Sequence, residues 1–293
     1  MSDRPQSFFK YMTAATARIV LDDGRLRWSR PSRFNDPFDM QVNLQIRFDR
    51  SRVINATLGK MWERVLGRAP APKNELGLLL RATAPIHLQR GREAFLACQE
   101  PGILKSIEGL PRILGDLNDQ LQAALATTKI ICLSARKDSV LMWSHYAESH
   151  GGIALEFRVP DGVDSPYKIA RPVNYCDEVP CLFTEDELSD FLSGGIDLTH
   201  EIADRILYAK AMPWRYEEEW RIATGDGRKP MAEFEDVEFF REELCAVYFG
   251  CRAVDQDRAA ITELVRARYP WADIWQCRRS LDAWALAFER LPV

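Results

Sequence analysis

Apolar positions along the chain switch between a two-residue period and a roughly 3.6-residue period, and the switches divide it into elements. Phe8-Phe9-Lys10-Tyr11-Met12 reads as a short strand. Residues 13–21 read as a helix capped by Thr13 and stopped by Asp22-Asp23-Gly24. Arg25-Leu26-Arg27-Trp28-Ser29 alternates as a strand, and Val42, Leu44, Ile46 and Phe48 alternate next. Residues 53–128 are helical in period, broken at Pro70-Ala71-Pro72, Pro85, Pro101-Gly102 and Pro111, with leucines and isoleucines that need a packed surface. After that block come a strand at 129–134, a helix at 139–149 with Gly151 at its stop, and strands at 153–159 and 167–175. Helices at 185–192 and 198–211, strands at 214–224 and 244–249, a helix at 253–269 and strands at 274–278 and 283–289 complete the pattern. Strands and helices mix without regular strand–helix–strand spacing. The expected fold is α+β: one domain over residues 1–293, with a mixed, mainly antiparallel sheet core and a helical insertion at 53–128.

Composition removes several classes. With 293 residues and 46% hydrophobic content the chain can bury a sizeable core. A net charge of −4 gives no general basic face for nucleic acid. No run approaches the roughly 20 apolar residues of a membrane helix. The opening Met1-Ser2-Asp3-Arg4-Pro5-Gln6 has no apolar signal core. Seven scattered cysteines, several in apolar runs such as Ile130-Ile131-Cys132-Leu133, read as reduced thiols. A cytoplasmic protein without a membrane partner is expected. No Cys-x-x-Cys occurs, and Cys176 and Cys181 have no neighbouring histidine, so no metal site is expected.

Three polar-aromatic clusters carry the candidate chemistry. Phe34-Asn35-Asp36-Pro37-Phe38-Asp39 is a turn by its Asx-Pro chemistry; it is either rigid packing around two Phe rings or a loop that offers Asn35, Asp36 and Asp39 to a ligand. Trp143, His145, Tyr146 and His150 collect two of the four histidines on one short helix, as a satisfied core or as a pocket wall. Their spacing of five is not the four that aligns metal ligands on a helix face. In Trp214-Arg215-Tyr216-Glu217-Glu218-Glu219-Trp220-Arg221-Ile222 a strand would put Glu217, Glu219 and Arg221 on one face and Tyr216, Trp220 and Ile222 on the other. The charged face is either solvated or a carboxylate pair that orients hydroxyls and stabilises positive charge. Glu219, beside the like-charged Glu217 on the polar face, is expected to tolerate Glu219→Gln with stability nearly unchanged and function removed, while Trp220→Ala on the apolar face should cost roughly 3–5 kcal/mol.

These segments together resemble a large, mostly bacterial family, domain of unknown function 2971. The matching motifs are Lys10-Tyr11, Ser29-Arg30-Pro31 with Phe34–Asp39, Cys132-Leu133-Ser134, Met142–Ala147 with His150-Gly151-Gly152, Tyr216–Arg221, and Phe249-Gly250-Cys251. They run in order through nearly the whole chain, and residues 53–128 carry none of them. By architecture the chain is also similar to the ADP-ribosyltransferase superfamily: an early strand with a polar-aromatic pair, a helix ending in glycine, and a late Glu-x-Glu strand. Lys10 stands where that superfamily has His or Arg, and its Ser-Thr-Ser type motif is absent.

The second resemblance implies NAD as substrate. Glu219 or Glu217 would stabilise an oxocarbenium-like transition state, with His145 beside them. Lys10 and Tyr11 would hold the early position, and Trp143 or Tyr146 would stack nicotinamide. Asn35, Asp36, Asp39, His150 and Arg221 complete the expected binding set. The leading expectation is a nucleotide-binding enzyme that transfers ADP-ribose or hydrolyses a glycosidic bond, in a bacterial defence or toxin-like setting, with an unspecified macromolecular acceptor. The alternatives are a noncatalytic ligand-sensing or partner-binding module, and a nucleic-acid-acting enzyme that uses Asp36, Asp39 and Glu219 around Mg²⁺.

Overall fold

The computed structural model of the protein describes residues 4–72, 74–160, 162–195 and 201–292. Its strands are β1 (Phe8–Met12), β2 (Arg25–Ser29), β3 (Ile130–Ser134), β4 (Ile153–Phe157), β5 (Arg171–Pro172), β6 (Asn174–Cys176), β7 (Ala209–Ala211), β8 (Glu219–Ala223), β9 (Phe234–Glu238), β10 (Leu244–Phe249), β11 (Asp273–Arg279) and β12 (Leu286–Arg290). Its helices are α1 (Ala14–Asp23), α2 (Arg50–Val65), α3 (Glu75–Ala82), α4 (Ala84–Arg90), α5 (Arg92–Leu125), α6 (Val140–Tyr146), α7 (Glu185–Leu192), α8 (Glu201–Leu207) and α9 (Asp255–Arg268). The chain divides into two compact units, one from residues 1–39, 124–177 and 210–293, the other from 40–123 and 178–209.

The first unit is built on a mixed sheet in the order β12-β11-β10-β4-β1-β3-β2-β9, with β8 added on β3 and β5 on β8. All its pairings are antiparallel except β10 with β11. The α+β class expected from the sequence is the class observed. The pairing of β3 is irregular. Along one edge β3 pairs continuously with β8, from Ile130↔Ala223 to Ser134↔Glu219. Its other edge is shared: β1 reaches it at Phe9↔Ser134 and β2 at Ser29↔Ile130. Between those two positions the sheet splits. The Cys132 carbonyl lies at the split and accepts a hydrogen bond from Lys10 Nζ at 2.8 Å, in place of a strand partner.

Strand alternation sends the two faces of this sheet to different tasks. Phe8, Met12, Leu26, Trp28, Ile131, Leu133, Trp220 and Ile222 join one apolar core, closed by Ala17 and Leu21 of α1 and Ile261 and Val265 of α9. The opposite face carries Phe9 and Tyr11 and is covered by Met142, Trp143 and Ala147 of α6.

The second unit is helical. Helix α2 packs on α7, and Trp62 meets Phe95 of α5 with ring centroids 5.4 Å apart. The Asn118 amide closes both the Leu44 N–H and its carbonyl, at 2.9 and 3.1 Å. The helical block therefore starts at Met40 and also takes in Glu178–Ala209, a larger piece than the expected 53–128. Pro101 and Pro111 do not break it, because α5 runs through both. Buried Phe95, Ile103, Ile107, Leu110 and Leu121 supply enough packing to offset the hydrogen bonds that two prolines remove. Among the described residues no helix is long and apolar enough to cross a membrane.

Other expectations change in detail. Residues 42–48 make one isolated bridge, Gln45↔Cys181, instead of a strand. The segment 167–175 begins as a 3-10 turn, Pro166–Ile169, before β5 and β6. Of the helix expected at 198–211, residues 198–200 lie outside the described residues, and the rest is α8 followed by strand β7. Strand β9 lacks an apolar alternation strong enough to mark it. Helix α6 stops at Tyr146, and Glu148, Ser149 and His150 all take positive φ, 49°, 52° and 71°. A Cβ at Gly152 would collide with the Met12 carbonyl oxygen, and one at Gly250 with the His150 carbonyl oxygen. Gly250 N–H bonds the Gly152 carbonyl at 2.9 Å, so the His-Gly-Gly and Phe-Gly-Cys motifs are two sides of one close backbone contact. Gly152→Ala is therefore expected to cost about 1–3 kcal/mol in denaturant unfolding. Gly59→Ala, in α2 with open space around it, is expected to gain about 0.5–1 kcal/mol.

Candidate functional site

The split in the sheet opens into a cavity of about 320 Å³, and every lining residue belongs to the first unit. One wall is Phe9, Lys10 and Tyr11 of β1 with Met142 and Tyr146 of α6. The other is Arg27 and Ser29 of β2 with Arg33, Phe34, Asn35 and Asp39 of the turn that follows. The floor is β3, and Lys210, Glu217 and Glu219 close one side.

Glu217 reaches the cavity by a route that strand alternation does not predict. Residues 212–217 form a 3-10 turn, Glu218 takes φ 42°, and β8 begins only at Glu219. Ser134 Oγ donates to the Glu217 carbonyl at 2.7 Å and Ser139 Oγ to the Tyr216 carbonyl at 3.2 Å, which pins the turn against β3 and α6. The face expected to be solvated is buried: Glu217, Glu219 and Arg221 are 3%, 4% and 0% exposed.

Lys210 is the centre of the arrangement. Its ammonium donates to Glu217 Oε2, to Glu219 Oε2 at 2.9 Å, and lies 3.6 Å from Asp39 Oδ2. Arg221 donates through Nε to Glu219 Oε1 at 2.7 Å and through Nη2 to Glu219 Oε2 at 3.0 Å and Asp39 Oδ2 at 2.6 Å. Tyr175 Oη accepts from the Glu219 N–H at 2.8 Å. Tyr146 Oη donates to Glu217 Oε1 at 2.5 Å and accepts from Asn35 Nδ2 at 3.1 Å. Three carboxylates thus share two cations in a region closed to solvent. The remaining oxygen, Asp39 Oδ1, is buried and has no hydrogen-bond partner among the described residues.

The carboxylates respond in opposite directions. Burial pushes Asp39 upward, and the Arg221 charge offsets this only in part. Glu217 is likewise raised by burial, against the pull of Lys210. Burial would raise Glu219 too, but Arg221 and Lys210 outweigh it and hold Glu219 well below the usual carboxylate range. Burial alone would lower Lys210, and the carboxylates around it reverse that, raising it. Burial, then the neighbouring Glu217 charge, raises Tyr146 above the ordinary phenol. Burial also keeps the Cys132 thiol protonated, so it is no nucleophile.

The structure gathers Lys10, Tyr11, Asn35, Asp39, Tyr146, Glu217 and Glu219 on the cavity, with Arg221 directly behind it. It separates four others. Asp36 Oδ1 accepts the Phe38 N–H at 2.9 Å, so that carboxylate caps its own turn, and Phe38 is 70% exposed rather than packed. Trp143 is 0% exposed, donates to the Lys137 carbonyl at 2.7 Å and meets Tyr11 edge-on, so it is core and has no face free for a ring. His145 is exposed and lies against Tyr216, with centroids 6.0 Å apart. His150 belongs to the Gly152–Gly250 contact, where burial and then Arg252 lower it. Among the described residues no group of three or more His, Cys, Asp or Glu side chains is placed to hold a metal ion. The space between Asp39 and Glu219, where the Mg²⁺ alternative would put its ion, is held by Arg221 and Lys210.

Sequence reasoning missed Lys210, whose only signal is a lone lysine between Ala209 and Ala211. It also missed Lys137. That ammonium lies 5.2, 5.7 and 5.5 Å from the ring centroids of Tyr248, Trp275 and Phe288, a three-ring cage drawn from β10, β11 and β12. It clamps the loop that leads into α6 and so sets where Met142 and Tyr146 enter the cavity.

Residues 142–222 match the family described as Protein of unknown function (DUF2971), a stretch that runs from α6 through β8 and contains Tyr146, Lys210, Glu217, Glu219 and Arg221. No curated protein and no solved structure matches the chain.

The opposite shifts replace the expectation that a solvated Glu219 would be neutral to stability. A depressed carboxylate stabilises the fold above its unfolded range and loses that contribution as pH falls. Glu219→Gln should therefore lose about 3–5 kcal/mol near neutral pH by leaving Arg221 and Lys210 short of a buried partner. Trp220→Ala should lose a similar amount, about 3–5 kcal/mol. Urea melts check both, and the Glu219→Gln deficit should shrink toward acid while the Trp220→Ala deficit stays. Lys137→Met should cost about 1–2 kcal/mol in the same assay, and Lys137→Arg should restore most of it.

Proposed function

We propose that the cavity binds the base-and-ribose part of a nucleotide and that the chain acts on the bond between them, as an NAD-using ADP-ribosyl transferase or glycosidic hydrolase. The observation that carries this reading is Asp39, a residue of the cavity lining whose Oδ1 is buried and has no hydrogen-bond partner among the described residues. Its sister oxygen is fixed by Arg221 at 2.6 Å, so the carboxylate is held in place before any ligand arrives. A pre-placed negative charge in a dry site favours the positive charge that grows on the ribose ring as the carbon–nitrogen bond breaks. The base leaves with the electron pair of that bond, and water or an acceptor group attacks the ribose carbon.

The other lining residues fit the same task. Phe34 and Tyr146 offer ring surfaces for a planar base. Glu217, raised by burial and hydrogen-bonded to Tyr146, can hold or accept a proton at the attacking group. Glu219 keeps Arg221 and Lys210 in place and is a positioning residue in this scheme, whereas the superfamily resemblance puts it at the sugar. A volume of about 320 Å³ stands at the small end of ligand pockets, which suits one ring and its sugar, with the rest of a dinucleotide outside. A noncatalytic ligand sensor is the second reading. It is favoured by one fact: every carboxylate oxygen of Glu217 and Glu219 is already paired within the protein.

Nicotinamide release from NAD, followed by mass spectrometry, separates the two. On the enzymatic reading Asp39→Asn loses about 10²–10³-fold in rate. Its melting point should not fall: a carboxylate with a raised pKa favours folding when protonated and loses that contribution as pH rises through the folded value, and Asn mimics the protonated form. Activity of the wild type should rise through a limb above the ordinary carboxylate range, where Asp39 ionises. Binding of nicotinamide riboside without release of base from NAD would favour the sensor. No binding and no turnover would sink both.

A further inference from the structure

The cavity is lined by charge of both signs: Lys210 lies among the carboxylates and is paired to them, and the other lining cations stand on different strands. The carboxylates belong to β8, the turn before it, and Asp39. Arg27 and Arg33 belong to β2 and the turn after it, and Lys10 to β1. Strands β8 and β2 lie on opposite edges of β3, so two strand spacings, about 10 Å, separate the Glu219 side from the Arg27 side. The span from a glycosidic bond to the phosphate on the far carbon of the same ribose is shorter than that, and the long side chains of Arg27 and Arg33, which line the cavity, cover the difference.

The two arginines are exposed and engaged only at the surface. Arg27 pairs with Asp236 at 3.1 Å, and Arg33 with Glu233 at 3.6 Å. The side chains in both pairs are 44–59% exposed. Exposed pairs contribute little to stability, so a phosphate, the better acceptor, can draw Arg33 from Glu233 and can compete for Arg27, which holds Asp236 through Nε at 3.1 Å and Nη2 at 3.4 Å. A phosphate offers them two formal charges and paired oxygens that match the guanidinium fork. Lys10, by contrast, is committed to the Cys132 carbonyl and serves the split itself. Arg27 also lies 3.8 Å from the Phe234 ring centroid, which leaves its edge for hydrogen bonds.

We propose that Arg27 and Arg33 form the phosphate end of the cavity, so that its ligand is a ribonucleotide phosphate and not a free nucleoside. The proposal rests on the reading that a base and ribose enter beside Asp39. Nicotinamide mononucleotide and nicotinamide riboside differ only in that phosphate and are the probes. Calorimetric titration of the full chain should show the mononucleotide binding about tenfold or more tightly than the riboside. Inorganic phosphate should compete with the mononucleotide and leave the riboside untouched. The Arg27→Gln/Arg33→Gln double variant should bring the two affinities together by weakening the mononucleotide alone. Equal affinities for the wild type overturn the proposal while leaving the sugar-and-base reading intact, as does a preference that survives in the double variant. Failure of both probes to bind overturns the reading and the proposal together.

Discussion

Lys210 and Arg221 hold the site together. Two buried cations tie three carboxylates that arrive from the turn after β2, from the 3-10 turn at 212–217 and from β8 itself. Removing such charges from water is costly, and a well-packed apolar cluster of the same volume would stabilise the unit as well or better. The arrangement is therefore poorly explained by stability alone. It specifies geometry, because each cation satisfies its partners only when all the segments are in register, and it leaves one buried acceptor, Asp39 Oδ1, without a hydrogen-bond partner among the described residues.

The cavity itself comes from incomplete strand pairing. A sheet that continued β1 and β2 along the whole edge of β3 would have no opening there. The strands reach β3 at its two ends and part between them, and Lys10 closes the carbonyl that the parting exposes. Strained backbone lies close by: Glu218 immediately before β8, and the run Glu148–His150 after α6, all adopt left-handed φ without glycine. Each such residue costs of order 1–3 kcal/mol and persists only where its surroundings enforce it. Here the enforcing contacts are the Gly152–Gly250 backbone approach and the serine bonds that pin the 212–217 turn.

Carboxylates of one residue type divide their work by environment. Glu219 is surrounded by cations, stays ionised and holds the network. Asp39 and Glu217 are pushed upward by burial, away from the ordinary carboxylate value and opposite to Glu219. The three carboxylates thus sit within one cluster yet are shifted in opposite directions by their surroundings.

The amino-acid pattern by itself determined the α+β class, most strands, and the three clusters around Asn35–Asp39, Tyr146 and Glu217–Arg221, because short-range period and turn chemistry are local properties. Glycines 152 and 250 entered only as parts of the motifs shared with the resembling family, with nothing to say that they touch. What it could not carry was long-range. The local pattern of 214–222 reads as one strand, and only Ser134, Ser139 and the Glu218 backbone turn its first half into a 3-10 segment. His145 and Trp143 look like pocket residues because aromatic and imidazole side chains suit a core and a site equally, and only packing on Tyr11 and Tyr216 separates the two roles. Lys210 and Lys137 are invisible for the same reason: a lysine's worth is set by what surrounds its ammonium, and the carboxylates and rings that surround these two come mostly from other segments of the chain. The split of β3, from which the cavity arises, depends on where two distant strands stop pairing, a decision made by tertiary structure alone.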